Sequence, residues 1–282
     1  MRHISTTLVL LVAALSASAG AQATAQLPPG TNVVVHLADG STMYGRLERA
    51  DADSVVLVGP AGRVAIPRIS VKELRNAGEA HRKDDGTTEY WFPNANTTRL
   101  FFGPTGRTLA KGQGYFADYD VAIGSVTYGL TDRITLGGGG FIVPSSNVWF
   151  LTPKVGIVRG DRVNVAAGAM WGGVGTDGTA GISYLVGTFG SEDHNITAGV
   201  GRFFVKAKTV GDELFMVGGE TRVSRRLSLV SENYFVTGND PLVSYGVRVL
   251  GEKFSVDLAF FNVAGGGVGF PGIPYVDFVV RF

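Results

Sequence analysis

Ten charged residues lie at positions where alternation along an extended chain would gather them on one face. They are Arg99, Asp118, Asp120, Lys154, Glu220, Arg222, Glu232, Arg248, Asp257 and Arg281. Successive side chains of a strand point to opposite faces, so their apolar neighbours would occupy the other face. Five of these residues are acidic and five are basic. Such a set either pairs into salt bridges or lines a path for a small polar solute, and the cost of unpaired buried charge favours pairing.

Hydrolytic chemistry would centre on His194, which follows Ser191 and Glu192 in the sequence. A hydrolase needs a base, a nucleophile and an orienting group that converge in space. Three such residues within one short turn are too close along the chain to converge in this way. The spacing favours a solvated loop, and we predict no catalytic residue.

Two further patterns suggest ligand sites but have simpler explanations. Asp118 and Asp120 lie two residues apart and could bind a cation, yet a hydrogen-bonded wall explains them better. The segment 173–178, Gly-Val-Gly-Thr-Asp-Gly, has the spelling of a dinucleotide-binding loop. It is flanked by predicted strands, with no helix to present its N-terminus to a pyrophosphate. We therefore predict no metal and no cofactor.

The composition favours strands over helices and excludes several classes of protein. Glycine accounts for 41 of 282 residues, roughly twice its usual share, and charged residues for only 17%. After residue 20 no apolar run reaches the roughly 18 residues of a membrane-spanning helix, so any span would be built from strands. The net charge of +1 gives no support for nucleic acid as a partner. The sequence contains no cysteine, which excludes disulfides, thiolate chemistry and a lipoprotein anchor.

Residues 1–25 have the features of a secretory signal. A short polar start precedes the apolar segment 8–15, and small residues then offer cleavage after Ala21 or after Ala25. The sequence is compatible with cleavage at either site.

Residues 30–75 form a separate pattern of five short alternating segments divided by turns. The turn at Asp39-Gly40, the step Gly45-Arg46-Leu47 and the ending Ile66-Pro67 resemble SH3-like or Sm-like β-domains. Sm-like domains often bind RNA, but a position behind a secretory signal and mixed charge favour a periplasmic domain that binds a protein partner. Residues 76–93 are interpreted as a linker that ends in Tyr90-Trp91-Phe92, a composition suited to a membrane interface.

Residues 94–282 show repeated alternating segments separated by turn residues. The predicted strands are residues 97–103, 114–129, 133–143, 148–158, 162–172, 179–189, 194–206, 213–223, 227–236, 242–250, 254–262 and 274–282. Short polar turns alternate with longer connections rich in glycine and proline. The fold class predicted is all-β: a twelve-stranded antiparallel up-and-down transmembrane β-barrel, with ten to fourteen strands as the bounds, preceded by the small SH3/Sm-like β-domain.

The stretches 103–116 and 125–137 resemble an uncharacterised family of outer-membrane barrel proteins of Gram-negative environmental bacteria. The resemblance covers roughly residues 94–145. It implies a barrel in the outer membrane and brings no activity or catalytic residue with it.

The last segment, residues 275–282, has a strict two-residue period. Phe282, Val280, Phe278 and Val276 share one face, and Arg281 and Asp277 share the other. This pattern resembles the closing strand of outer-membrane barrels, which the barrel-assembly machinery recognises as a sorting signal.

These patterns predict an integral outer-membrane barrel with its N-terminal domain in the periplasm. Its function would be a narrow channel for small polar solutes or a structural barrel. The alternatives are a lipid-acting outer-membrane enzyme, which the residues do not favour, and a membrane anchor that presents residues 30–75 to a periplasmic protein. The expected partners are outer-membrane lipid, the assembly machinery and that periplasmic protein.

Deletion of Phe282 should reduce insertion into the outer membrane, because it removes the terminal aromatic residue of the predicted assembly signal. The heat-modifiable barrel band in outer-membrane fractions measures insertion. Val280→Ile, which keeps the apolar face, is the control. Full insertion of the chain lacking Phe282 would contradict the assignment.

Overall fold

The computed structural model describes residues 27–59, 62–82, 86, 88–142, 147–175, 178–206, 208–265 and 269–282. The predicted secretory signal lies outside these ranges. The chain divides into two compact units, Met1–Pro93 and Asn94–Phe282, and each is taken by itself below.

The first unit contains a five-stranded antiparallel sheet in the order β4-β3-β2-β1-β5. Its strands are β1 (Asn32–Leu37), β2 (Thr42–Ala50), β3 (Ser54–Gly59), β4 (Gly62–Pro67) and β5 (Val71–Asn76). A 3-10 turn, Arg68–Ser70, joins the last two strands. Alternate apolar residues form the core, namely Val33, Val35, Leu47, Val55, Leu57 and Ile66. The five predicted strands are confirmed, and the likeness to SH3 or Sm domains stays a prediction.

The segment predicted as a linker contains a hairpin, so that prediction is wrong. Strands β6 (Glu79–Arg82) and β7 (Thr88–Trp91) pair antiparallel. The Tyr90 ring stacks on Tyr44 of β2 at 5.3 Å, and the Trp91 ring stacks on His81 at 3.8 Å. These two aromatic side chains therefore have partners within the first unit.

The second unit is a closed antiparallel barrel of twelve strands, as predicted. They are β8 (Gly114–Tyr119), β9 (Ile123–Gly129), β10 (Ile134–Phe141), β11 (Val148–Arg159), β12 (Val163–Val174), β13 (Thr179–Gly190), β14 (His194–Val205), β15 (Lys208–Ser224), β16 (Leu227–Val236), β17 (Leu242–Leu250), β18 (Phe254–Val263) and β19 (Ile273–Arg281). Each strand pairs with its neighbour in sequence, and β19 pairs with β8 to close the ring. In the described ranges, no helix is both long enough and apolar enough to cross a membrane.

The predicted strand number is right, but two of the predicted strands are not. Residues 97–103 lie outside the barrel wall, and the predicted strand 114–129 is two strands, β8 and β9, joined by a tight reversal. At this reversal Asp120 and Val121 both have positive φ, 52° and 57°, and the Ala122 N–H donates to the Tyr119 carbonyl at 3.0 Å. Because Asn-Gly is the usual sequence for such a turn and a β-branched residue rarely adopts positive φ, the sequence gives no turn signal there.

The barrel wall separates apolar and polar side chains by strand alternation. On β18, for example, Leu258 is 49% exposed and the next residue inward, Asp257, is fully buried. The outward faces carry large exposed apolar residues around the ring, including Phe116, Leu136, Val155, Phe189, Val200, Phe215, Leu229 and Phe278. An apolar surface of this extent around a barrel is suited to lipid.

Leu258→Arg should lower the free energy of unfolding by about 2–4 kcal/mol if the exposed faces contact hydrocarbon, because a charge near the midplane must leave water. Urea unfolding from lipid vesicles provides the measurement. Leu130→Arg is the matched control, since Leu130 is 48% exposed but lies in the turn between β9 and β10. Equal and small effects of the two substitutions would show that water surrounds the barrel.

Candidate functional site

Residues 94–113, which we call the plug, run inside the barrel before the wall begins at β8. The plug contains a short hairpin in which the Leu100 N–H donates to the Gly103 carbonyl at 2.8 Å and the Thr105 N–H donates to the Thr98 carbonyl at 3.0 Å. Most of its residues are buried, including Asn94, Asn96, Leu100 and Phe101 at 0–1% exposure. The segment predicted as the first strand of the wall therefore lies within the lumen and fills part of it.

Arg248 of β17 forms the centre of the contacts between plug and wall. Its guanidinium is fully buried and binds both carboxylate oxygens of Asp257, at 2.7 and 2.8 Å, and Glu220 Oε2 at 2.7 Å. Its two remaining N–H groups donate to the plug carbonyls of Asn96, at 2.9 Å, and Leu100, at 2.7 Å. All five donors of the guanidinium are used, and two of them hold the plug.

Glu232 of β16 binds the tip of the plug hairpin through the backbone. Its carboxylate accepts the N–H groups of Phe101 at 2.8 Å, Phe102 at 3.2 Å and Gly103 at 2.9 Å. The Tyr234 hydroxyl donates to the same carboxylate at 2.7 Å. Consecutive N–H groups that converge in a turn form an anion-binding concavity, and here a wall residue supplies the anion.

Arg99 belongs to the plug, so the prediction that it forms part of the wall is wrong. Its Nη2 donates to Asp277 Oδ2 of β19 at 2.6 Å, and its guanidinium lies 4.7 Å from the centre of the Tyr119 ring. The Phe102 ring stacks on the same Tyr119 ring, with the two ring centres 5.6 Å apart. An ion pair and aromatic packing thus join the hairpin to the two strands at the barrel seam.

Further hydrogen bonds attach the plug around the whole ring. Lys154 Nζ donates to the carbonyls of Thr98 at 2.8 Å and Thr105 at 3.3 Å, and Arg281 Nε donates to the Ala95 carbonyl at 3.0 Å. The plug's hydrogen-bonding partners lie on strands β8, β10, β11, β13, β15, β16, β17 and β19. Contacts on so many strands mean that the plug spans the cross-section of the lumen.

Gly106 allows the plug to touch the backbone of the wall. Its N–H donates to Thr188 Oγ1 at 2.8 Å, and a Cβ at this position would lie 2.2 Å from the Asn164 carbonyl oxygen. Because that obstacle is backbone, no side chain could be accommodated without moving the plug.

The far end of the plug is attached to the turn between β9 and β10. The Thr108 hydroxyl donates to the Asp132 carbonyl at 2.9 Å, and the Lys111 N–H donates to Asp132 Oδ1 at 3.0 Å. The second contact holds the pKa of the Asp132 carboxyl below its ordinary value, because the N–H stabilises the carboxylate.

Asp118 and Asp120 do not face the lumen, contrary to the sequence prediction. On β8 the lumen side carries Tyr115 and Tyr119, whose rings contact the plug, so Asp118 lies on the opposite face. Asp120 lies in the turn after β8, where Oδ1 accepts the Val276 N–H at 2.9 Å. The sequence prediction assumed that apolar side chains face outward. It is wrong for β8 because the rings of Tyr115 and Tyr119 face inward and pack against the plug.

The structure places the other predicted charges on the lumen side and adds two that the prediction omitted. Lys154, Glu220, Arg222, Glu232, Arg248, Asp257 and Arg281 all project inward from the wall. Asp277 pairs with Arg99, and Arg107 of the plug donates to the carbonyls of Gly190 and Ser191 at 2.9 and 2.5 Å. Asp277 shares a strand face with Arg281, so the two-residue period could have predicted its place in the lumen. Arg107 lies in no strand, so no such period could have predicted its place.

The residues considered for hydrolysis and nucleotide binding lie in loops or at strand ends. Ser191 Oγ accepts the backbone N–H of His194 at 3.0 Å, which is a local turn contact. The glycine-rich segment 173–178 connects β12 to β13, and its residues 176 and 177 lie outside the described ranges.

A cavity of about 880 Å³, which we call the chamber, lies in the lumen on one side of the plug. Thr98, Arg99, Phe102, Gly103 and Pro104 of the hairpin form its floor. Residues at one end of the strands, among them Val148, Val174 and Leu242, surround its mouth. The lumen is therefore filled on one side of the hairpin tip and hollow on the other.

Comparison with known proteins gives only distant likenesses. No protein-family model matches the sequence, and no curated protein matches it closely enough to indicate a relationship. The solved structure of the KdgM porin in complex with disordered oligogalacturonate aligns with 60% of this chain and 95% of its own, at 10% identity and a TM-score of 0.43. The NanC porin aligns with 60% of this chain and 97% of its own, at 10% identity and a TM-score of 0.40. At this level of likeness no inference about solute or activity follows.

Arg248→Met should lower the free energy of unfolding by about 3–5 kcal/mol, because it leaves two buried carboxylates without their partner. The matched control is Arg202→Met, which breaks an ion pair with Glu213 whose side chains are 63% and 50% exposed. That control should cost at most about 1 kcal/mol. Urea unfolding from vesicles checks both, and equal effects would contradict the central role assigned to Arg248.

Proposed function

We propose that this protein is an outer-membrane barrel that is closed at rest by its own plug. The membrane assignment is supported by the ring of exposed apolar side chains around a closed barrel whose interior is polar near the plug. The secretory features of residues 1–25 agree with export. The same proposal assigns residues 30–75 to the periplasm as a domain that binds a protein partner.

The observation that carries the closed state is the attachment of the plug to strands all around the lumen. Its backbone groups are bound by wall side chains, among them Glu232, Lys154 and Arg248, and this attachment supports a plug that blocks the lumen at that cross-section. Small polar solutes would pass only after the plug is displaced. Displacement of the plug would expose the charged wall side chains that now bind it, and these side chains would then line the opened lumen.

Conductance in a planar bilayer tests this proposal with variants of the plug contacts. The wild-type protein should show rare openings, and Glu232→Gln should raise their frequency by about tenfold or more, because charge-assisted hydrogen bonds are worth about 1.5–3 kcal/mol. Glu213→Gln, at an exposed outward-facing position, is the matched control and should leave the openings unchanged.

A disulfide lock distinguishes the plug from other sources of current. The chain has no cysteine, so Leu109→Cys with Thr135→Cys introduces one pair, at positions where the Leu109 N–H donates to Thr135 Oγ1 at 3.0 Å. Openings should disappear when the pair is oxidised and return on reduction. Steady current through the oxidised form would overturn the closed state, and silence of every variant at every salt concentration would favour a structural barrel.

A further inference from the structure

The chamber beside the plug has one strongly apolar wall. Strands β12 to β17 contribute inward side chains that line it, including Met170, Ile182, Val186, Leu214, Met216, Tyr234, Val236 and Leu242. Phe102 of the plug extends this surface across the floor. A path for polar solutes alone would not need such a wall, because apolar side chains offer no hydrogen bonds to replace those of water.

The opposite wall of the chamber carries hydroxyl groups and a buried cation beside the apolar residues Ile123, Val148 and Phe150. Hydroxyl groups of Ser125, Thr127, Thr135 and Thr152, on strands β9 to β11, line this side. Lys154 follows Thr152 on the inward face of β11 and also lines the chamber, at 5% exposure. The hydroxyl groups and Lys154 therefore lie on one side of the chamber, while Arg99 in the floor and Asp240, between β16 and β17, complete its charged lining.

Lys154 has donor capacity that its observed contacts do not use. An ammonium group has three N–H donors, and two of those of Lys154 go to the plug carbonyls of Thr98 and Thr105. Within the described part of the chain no carboxylate lies within 4.0 Å of its nitrogen, whereas Arg99 and Arg248 in the same lumen are ion-paired. Burial of an ammonium group without a paired anion is costly, and a bound anion beside Lys154 would offset that cost.

We propose that the chamber binds a small amphipathic carboxylate, with its apolar body against β12 to β17 and its carboxylate directed at Lys154. The volume of about 880 Å³ falls in the range of roughly 300–1,000 Å³ that is typical of small-molecule sites. The position of the hydroxyl groups and Lys154 on one side matches a ligand with one charged end. This site goes beyond the proposed channel, because binding is expected whether or not the plug ever moves.

Isothermal titration of the full-length protein in lipid nanodiscs tests the site with octanoate, octanol and octylamine, which share one alkyl chain. Octanoate should bind saturably and about tenfold more tightly than octanol, since an added charge-assisted hydrogen bond is worth at least one decade in affinity. Octylamine should bind more weakly than octanol. Empty nanodiscs give the background of partition into lipid.

Two variants locate the site. Ile182→Trp adds a bulky ring to the lining of the chamber and should weaken saturable binding by about tenfold, whereas Leu229→Trp adds the same ring to the outward face of β16 and should leave binding intact. Lys154→Gln keeps amide donors for the plug carbonyls and should reduce octanoate affinity to that of octanol. Heat modifiability on gels confirms that each variant is folded.

Several results would overturn the proposal. Equal affinity of the wild type for octanoate and octanol would remove the role of the cation. Octanoate affinity that is the same in Ile182→Trp as in the wild type would place the site outside the chamber, and the absence of saturable binding by any probe would remove the site altogether. The comparison of the three probes needs only the wild-type protein, so it decides the charge preference even if Lys154→Gln fails to fold.

Discussion

The interior of the barrel depends on the five hydrogen bonds of one guanidinium, that of Arg248. Two carboxylates of the wall and two carbonyls of the plug meet at this group, which has no contact with water. Burial of a charge at this depth is costly, and these five hydrogen bonds offset that cost. The wall alone supplies three of the five acceptors, so the wall and the plug must form together.

The same principle explains why the lumen charges did not need to segregate into acidic and basic walls. Glu232 and Lys154 bind backbone N–H and carbonyl groups of the plug rather than each other. A backbone segment offers both kinds of partner within a few residues, so a single hairpin can neutralise the interior of the wall locally. Pairing was the interpretation favoured from the sequence, and Arg99, Arg222 and Arg248 do form buried ion pairs, whereas Glu232 and Lys154 bind main chain.

The plug also divides the lumen into two chemically different parts. Around residues 94–113 the interior is filled by buried ion pairs and by apolar clusters at Leu100, Phe101 and Leu109, and beyond the hairpin tip it becomes a chamber with an apolar wall. Inward-facing glycines such as Gly199 and Gly172 contribute to that space, because they put no side chain into it. Lys154 lies where the hydroxyl-bearing strands β9 to β11 reach the floor, and among the buried cations it is the lysine that lines the chamber.

The sequence by itself determined the all-β class, the barrel architecture and the side of the wall on which most residues lie, whereas the count of twelve strands was right because one false strand and one undivided strand offset each other. Those features depend on the two-residue period of strands, which is local and visible in residues such as Leu258 and Asp257. Only the tertiary structure decided the identity of the first wall strand, the reversal at Asp120-Val121, the inward face of β8 and the existence of the chamber. Each of these depends on contacts between residues far apart in the chain, such as Arg99 with Asp277 and Arg248 with Leu100. A short segment such as 97–103 shows the same alternation of polar and apolar residues in the barrel wall and in the lumen. The alternation indicates which side chains face polar or apolar surroundings, but it does not indicate where in the barrel the segment lies.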